Sequence, residues 1–295
     1  MMLGKLIKRN TWMFFKDKGL FFTSLITPLI LLVLYMTFLS NVYKDSFLMA
    51  VPAGFTVDDA LVNALAGGQL VSSLLAVCGV TVAFCSNMLM VQDKITGAAW
   101  DFGITPLKPH VKALGYYIAT FLSTLLICLV AVGAGFLYLG SVGWYLSATD
   151  VCCVLLDVLL LVLFGTALSS IVNVFLSSQG QISAVGTIVS SCYGFICGAY
   201  MPISQFGEGL QTVMSFLPGT YATSLLRNHC MNGVLAELER TGLPSAVIDS
   251  TRDALDCNIY FFDTCVPQET MFWIFGGSTA VLVGVYVLIQ VIRKK

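Results

Sequence analysis

Long runs of apolar residues alternate along this chain with shorter polar connections. A helix that crosses a bilayer needs about 20 consecutive apolar residues. Six segments reach that length, so the pattern predicts an all-α integral membrane fold that forms one domain over residues 1–295. The predicted transmembrane helices are at about 20–40, 69–91, 113–139, 150–173, 180–200 and 271–292. Pro28 lies inside the first of them and predicts a kink there.

The composition agrees with a lipid environment. The chain is 57% hydrophobic and only 11% charged, whereas soluble domains carry roughly 25% charged residues. Membrane lipid is therefore a predicted partner. No basic stripe with interleaved aromatic residues occurs, which argues against a nucleic acid partner.

Basic residues indicate the orientation of the helices. Of the 15 Lys and Arg residues, five precede the first predicted span, three lie between the second and third, and three end the chain. Cytoplasmic loops of membrane proteins are enriched in Lys and Arg. Both termini and the connection around Lys94 are therefore predicted to be cytoplasmic.

The first 19 residues have no signal-peptide pattern. We interpret residues 1–19 as an amphipathic helix in the inner membrane interface, with Leu3, Ile7, Trp12 and Phe15 against lipid. The alternative is a solvated basic tail.

The region between the fifth and sixth predicted spans divides into two parts. Residues 203–228 are apolar but interrupted by Pro218, and they follow Pro202. This segment is too short to span, so we expect a re-entrant helical hairpin that enters from the outer side. Residues 230–268 are polar and predict an outer subdomain, helical at about 233–240 and 244–256.

Ten cysteines are divided between the spans and the outer region. Seven lie in predicted spans as small apolar packing residues, and Cys230, Cys257 and Cys265 lie outside, where oxidation occurs. One disulfide is expected among these three, and Cys257–Cys265 is favoured because the loop between them is short.

Sequence motifs for catalysis are missing. The chain has no GxxxxGK[ST], HExxH or GxSxG pattern, and we interpret it as a protein without enzymatic activity, with no catalytic or metal-binding residues. Both histidines, His110 and His229, are predicted to lie in loops. Asp157 falls within the fourth span, where a charge costs roughly 2.5–3.5 kcal/mol at a helix centre. It either faces a water-filled pathway or cationic group, or lies hydrated near the outer interface.

Small residues recur at four-residue spacing in the fifth span, at Gly186, Ser190, Gly194 and Gly198. Such a ridge allows close backbone packing between helices in lipid. This ridge either packs within the protomer, contacts a second copy of the chain, or forms the wall of a pathway.

Two motifs resemble the permease subunits of type-2 ABC exporters, the ABC-2 family. The first is Asp93-Lys94, then Gly97, then Thr105-Pro106, between the second and third spans. In that family this stretch is a short helix along the membrane that docks on a separate ATP-hydrolysing subunit. The second motif follows the fifth span and contains Gly198, Pro202, Pro218 and Arg227.

The resemblance implies a coupling helix at 92–105 with its apolar face centred on Phe102, while Asp93, Lys94 and Asp101 point away from that face. It implies partnership with two ATPase subunits and with a second permease copy or a paralogous permease. ATP and Mg²⁺ would be held by the ATPase, and this chain would bind no cofactor directly. The residues assigned to coupling are Asp93, Lys94, Gly97, Asp101, Phe102 and Pro106; those assigned to packing or pathway are Thr81, Asn87, Gly186, Ser190, Tyr193, Gly194 and Gly198; those assigned to an outer gate are Pro202, Pro218 and Arg227.

By the same resemblance, the chain is expected to export an amphipathic drug or peptide antibiotic by alternating access across a bacterial cytoplasmic membrane. Export of a polysaccharide or lipid-linked glycan is the alternative within the exporter class. A channel or sensor that works without ATP is the alternative outside it, although no charged ring typical of a pore is found.

Overall fold

The computed structural model describes residues 2–52, 55, 57–101, 109–262 and 264–292. A π-helical turn lies at Tyr35–Leu39 and a 3-10 turn at Ile203–Gln205. Two short antiparallel strands, β1 Ile259–Phe261 and β2 Thr264–Val266, were not anticipated by the all-α prediction. The helices are α1 Met2–Lys16, α2 Lys18–Leu34, α3 Ser40–Ala50, α4 Asp59–Ile95, α5 Ala98–Asp101, α6 Pro109–Val142, α7 Ala148–Phe175, α8 Gln179–Ile196, α9 Glu208–Ser215, α10 Pro218–Arg240, α11 Ser245–Ala254 and α12 Gln268–Ile292.

The chain is a mostly helical, multi-pass membrane protein, as predicted. Within the described residues, five helices are long and apolar enough to cross a bilayer, and they correspond to five of the predicted spans. The remaining predicted span is α8, which has 18 residues and carries two glutamines in its first turn. Because of this polar first turn, α8 is not apolar enough to be counted with the five helices. The five helices are Lys18–Met49, Asp59–Ile95, His110–Val142, Ala148–Phe175 and Gln268–Ile292.

Helix α4 forms the centre of the fold. In the most apolar 18-residue stretch of α4, 94% is buried within the protein. Helices α2, α6, α7, α8 and α10 all pack against α4. Two glycines allow the closest approach, because a Cβ added to Gly165 on α7 would lie 2.6 Å from the carbonyl oxygen of Gly79 on α4. Close packing by small residues in lipid is thus prominent at the α4–α7 crossing.

The small-residue ridge on α8 is shorter than predicted. A Cβ at Gly186 would lie 2.6 Å from Cε of Met88, and one at Gly194 would lie 2.4 Å from the ring of Tyr200. Gly198, however, follows the end of α8 and has a φ of +75°. The left-handed backbone at this position favours glycine at a helix end, so its place in a helical ridge was wrongly predicted.

The region predicted to lie on the outer side is organised around α10. Pro218 occupies the first turn of α10, where a missing N–H costs nothing, and the helix continues for 23 residues. The second arm of the predicted hairpin and the predicted helix at 233–240 are therefore one helix, and the boundary expected near residue 228 is wrong. Apolar side chains of its outer half, including Leu235 and Leu238, pack with Leu65 of α4 and Ile248 of α11.

The predicted Cys257–Cys265 disulfide is absent, and both residues are free thiols. Strand pairing places Cys265 opposite Tyr260 with its side chain exposed. Cys257 lies before the strands and is buried in the apolar cluster around α10 and α11. The two side chains thus occupy different environments, which a short loop length did not reveal.

Candidate functional site

A large groove separates the first membrane helix from α8. Its volume is about 1310 Å³, at or above the upper end of the range for ligand pockets. Gln92 and Gln179 lie among its lining residues near the Lys94 connection, and Pro202 and Leu255 line it at the other end. The groove therefore follows the long axis of these helices.

The two walls of the groove differ in chemistry. The wall from α2 and the following turn is mainly apolar, with Ile26, Ile30 and Phe38 at its surface and two hydroxyl groups, at Thr23 and Thr27. The wall from α8 carries hydroxyl groups along one face, at Ser183, Thr187, Ser190 and Ser191. A surface of this kind provides apolar area on one side and scattered hydrogen-bonding groups on the other, which suits a molecule with both characters.

The predicted pathway residues do not all reach this groove. Gly186 and Ser190 line it. Thr81 is buried within α4 and donates a hydrogen bond to the carbonyl of Val77. Asn87 is also buried and donates to Ser169 and Ser170 of α7, at 3.2 and 3.0 Å. Thr81 and Asn87 therefore pack α4 within the protomer instead of facing this groove.

Tyr193 and Gly194 are likewise placed by packing. The hydroxyl of Tyr193 would lie 2.9 Å from a Cβ added to Gly219, so its ring covers the start of α10. Gly194 is buried under Tyr200. Tyr200, which covers Gly194, lines the groove. The sequence analysis did not identify Tyr200 as a candidate.

The predicted outer-gate residues are held by a buried ion pair. Nη1 of Arg227 lies 2.8 Å from Oδ2 of Asp256, and its Nη2 donates to the carbonyl of Gly198 at 2.5 Å. The same carboxylate oxygen accepts from the backbone N–H of Ile203, the residue after Pro202. These bonds join α10, the end of α8 and the 3-10 turn, whereas Pro218 starts α10 on its own.

At the opposite end, Asp93 is buried, although the sequence predicted that it points away. Arg9 of α1 donates two hydrogen bonds to its carboxylate, at 2.6 and 3.0 Å, and the hydroxyl of Tyr116 donates a third. The hydrogen bond and charge of Asp93 raise the pKa of Arg9 against the opposing effect of burial. The charge pair ties the interfacial helix to the last turn of α4.

Lys94 also faces the protein. Its Nζ donates to the carbonyl oxygens of Asn173, Val174 and Leu176, each at 3.0 Å. These are carbonyls at the C-terminal end of α7, where a positive charge is favourable. Lys94 therefore fixes the connection after α4 to the end of α7.

The predicted coupling helix has a different start. Residues 92–95 continue α4, Gly97 breaks the helix with a φ of +83°, and α5 begins at Ala98. The backbone of Asp101 ends α5, but its side chain, together with Phe102 and Pro106, lies outside the described residues. The predicted single helix over 92–105 is therefore wrong at its first turn.

Asp157 has a partner that sequence reasoning missed. Nδ1 of His229 lies 2.5 Å from Oδ2 of Asp157, which is almost fully buried. His229 belongs to α10 and His110 to α6, so the prediction that both histidines lie in loops was wrong. About two turns earlier on the same side of α7, the side chain of Asn232 donates to Asp150 at 3.0 Å.

The charge environment of His229 favours its protonated form. Burial lowers the pKa of His229, but the hydrogen bond and charge of Asp157, with the charge of Asp150, raise it above its ordinary value overall. The hydrogen bond between the two side chains therefore links α7 to α10, and it becomes an ion pair when the imidazole is protonated. Helical spacing could have aligned Asp150 with Asp157 and His229 with Asn232, but it could not show that the two helices meet.

No group of three or more His, Cys, Asp and Glu residues within the described ranges is arranged to hold a metal ion. The family described as ABC-2 type transporter matches residues 3–230 of the chain. Comparison with curated proteins and with solved structures found no match.

Proposed function

We propose an export function from this premise: the chain belongs to the ABC-2 type transporter family and is a membrane permease component of an ABC transporter. Its substrate, in this proposal, is amphipathic, such as a drug or a peptide antibiotic. The observation that carries the choice is the groove with a mainly apolar α2 wall and a hydroxyl-bearing α8 wall. A strongly polar glycan would leave most of the apolar wall without a suitable partner, which disfavours the alternative substrate class.

The proposed topology has six spans with α8 as the fifth, and both termini in the cytoplasm of a bacterial cell. The distribution of Lys and Arg supports this orientation. The position of Arg9 against Asp93 supports it further, since α1 and the end of α4 then lie on one side. Residues 208–240 form the proposed outer gate as a helix–turn–helix that does not cross.

The energy for transport comes, in this proposal, from two copies of an ATPase subunit that hold ATP and Mg²⁺. ABC-2 permeases generally partner with such a subunit. The contact is assigned to the segment that begins with Gly97 and α5 and continues through Phe102 and Pro106. Lys94 and Asp93 act behind this segment by fixing its start to α7 and α1.

A second copy of the permease closes the open side of the groove in this proposal. The apolar side chains of α2 and the following turn that face the groove are exposed in the single chain, including Ile26, Ile30 and Phe38. Contiguous apolar surface alone is also expected for lipid contact. The α8 hydroxyls beside it favour a shared cavity, because lipid tails offer them no hydrogen bonds.

The proposal is tested with the permease and its ATPase reconstituted together. ATP hydrolysis is measured with rhodamine 6G as an amphipathic probe and with a dextran oligosaccharide as a polar one. We expect stimulation by the dye and none by the oligosaccharide. Thr187→Trp, which fills the groove, should abolish the stimulation, whereas Val281→Trp on the exposed face of α12 should retain it.

Stimulation by the oligosaccharide alone would assign the glycan class instead. Hydrolysis of ATP by the permease purified without a partner would overturn the assignment altogether, because the chain has no phosphate-binding loop motif.

A further inference from the structure

A second, separate groove lies between α1 and α6, on the side of α1 that does not pack into the protein. Its volume is about 720 Å³, within the range of small-molecule sites. The α1 residues that line it recur every three or four positions and so share one helix face. The lining residues from α1 are Gly4, Ile7, Lys8, Thr11, Trp12, Phe15 and Lys16.

The groove has an apolar floor and a positively charged edge. Leu122 and Leu126 of α6 are exposed and form the floor. Lys8 and Lys16 supply the charge, and α1 contains no acidic residue to neutralise it. Trp12 beside them is 62% exposed, and tryptophan favours the level of lipid headgroups.

Thr11 adds a polar group without a partner. Its hydroxyl oxygen is buried and forms no hydrogen bond with any described residue. In a helix this hydroxyl commonly bonds a carbonyl of the preceding turn, and leaving it unpaired costs free energy. Rotation of the Thr11 side chain about its Cα–Cβ bond would turn the hydroxyl to the groove that Thr11 lines, where a ligand oxygen would accept its hydrogen bond.

We propose that this groove binds one anionic phospholipid from the leaflet in which α1 lies. The phosphate contacts Lys8, Lys16 and the Thr11 hydroxyl. An acyl chain lies over Leu122 and Leu126. Charge selects the occupant: two lysines and an unpaired donor match a phosphate with net negative charge, and the apolar floor matches the chain attached to it.

The depth of the groove agrees with this arrangement. Tyr116, which binds Asp93 at the end of α4, lies six positions before Leu122 on α6. Six helical residues span about 9 Å, so the floor extends from the level of the Arg9–Asp93 pair into the apolar part of α6. The proposal does not depend on what the chain transports.

Fluorescence quenching of Trp12 tests the site. The chain has four tryptophans, so Trp100, Trp144 and Trp273 are first replaced by Phe. The protein is then reconstituted in mixtures of phosphatidylglycerol and phosphatidylcholine, with bromine on the acyl chains of one lipid at a time. The two series give the relative binding constant of the anionic lipid at Trp12.

We expect phosphatidylglycerol to be preferred at least fivefold, since each lysine near an anionic lipid contributes about a fivefold factor in binding. Lys8→Gln with Lys16→Gln should bring the preference close to one. The matched control, Lys5→Gln with Lys18→Gln, removes two exposed charges from the same region but outside the groove, and should keep most of the preference. Thr11→Val should leave the preference nearly unchanged, because both lipids carry the phosphate that the hydroxyl contacts.

Three results would overturn the proposal. Equal quenching by the two lipids would mean that the groove takes any lipid, and an absence of quenching by either would mean that protein covers it. An equal loss in the control variant would attribute the preference to the general charge of the region.

Discussion

Nδ1 of His229 on α10 lies 2.5 Å from Oδ2 of Asp157 on α7. Asp157 is only 2% exposed and His229 20%, so the ion pair is shielded from water, where a lone carboxylate would be costly. This pair explains how an acidic residue is accommodated in a predicted span. Of the two interpretations of Asp157, the structure agrees with a bound cationic group, supplied by the chain itself.

Removing the histidine should therefore leave a buried charge without its partner. We expect His229→Ala to lower the free energy of unfolding by about 3 kcal/mol, measured by thermal unfolding in detergent. Adding Asp157→Asn to His229→Ala should recover part of this loss, because the carboxylate is then neutralised. Equal stability of the wild type and His229→Ala would contradict the ion pair.

The same pair makes stability depend on pH. The pKa of His229 is raised in the folded protein, where Asp157 and Asp150 face it. A raised histidine pKa contributes stability that is fully present below the unfolded pKa, about 6.5, and is lost as the pH rises through the folded pKa. We therefore expect the melting temperature to fall as the pH rises from about 6.5 through the folded-state pKa of His229. His229→Gln should remove this dependence, and an unchanged profile would exclude His229 as its source.

The second ion pair, Arg9–Asp93, allows a comparison with a surface pair. Arg9→Gln leaves Asp93 buried, with 4% of its side chain exposed, and we expect a loss of about 2 kcal/mol. Arg240→Gln breaks the exposed Arg240–Glu237 pair and should cost about 0.5 kcal/mol or less. Thermal unfolding of both variants measures the difference. Similar losses of unfolding free energy in the two variants would show that the buried Asp93 carboxylate is not stabilised by Arg9.

The outer cysteines offer a chemical test. Burial raises the pKa of the Cys257 thiol to about 12, so little reactive thiolate forms near neutral pH. We expect iodoacetamide to label exposed Cys265 in the folded protein and to spare Cys257. After denaturation without reductant, mass spectrometry should find both alkylated. A bridged Cys257–Cys265 peptide would contradict the free thiols of the structure.

The sequence predicted the membrane helices well because hydrophobic length is a local property. Each apolar run of about 20 residues became a helix, and the amphipathic pattern of residues 2–16 became α1. Pro218 was correctly treated as a break, because α9 ends at Ser215 and α10 begins at Pro218, where proline is tolerated. The boundary expected near residue 228 was wrong, since α10 continues to Arg240.

Contacts between distant segments were not predictable in the same way. His229 and Asp157 are 72 positions apart, and Arg9 and Asp93 are 84 apart. Periodicity assigns a residue to a helix face but does not identify the helix opposite. For that reason Asp93 was predicted to point away from the apolar face, and Asn87 was left open between packing and a pathway until the α4–α7 contact decided for packing.

The last prediction concerns Gly97, where α4 gives way to α5. Its φ of +83° lies in the left-handed region, which costs a residue with a side chain about 1–2 kcal/mol. Among the described residues, a Cβ there would meet only Cδ1 of Trp100, at 4.0 Å, so Gly97→Ala changes the backbone preference without a clash with them. If the segment after Gly97 docks on the ATPase, the variant should fold normally but co-purify several-fold less ATPase.

Gly133→Ala is the matched control for this change. Gly133 lies within α6, and a Cβ there would meet no atom of the part of the chain that the structure describes within 4 Å. Alanine should therefore stabilise the helix slightly and leave ATPase binding unchanged. Phe102→Asp should act in the same direction as Gly97→Ala and more strongly, because docking would bury an unpaired charge. Normal ATPase recovery and transport in both Gly97→Ala and Phe102→Asp, at wild-type expression, would remove this segment from the coupling contact and leave the fixed ends at Asp93 and Lys94 as structural supports only.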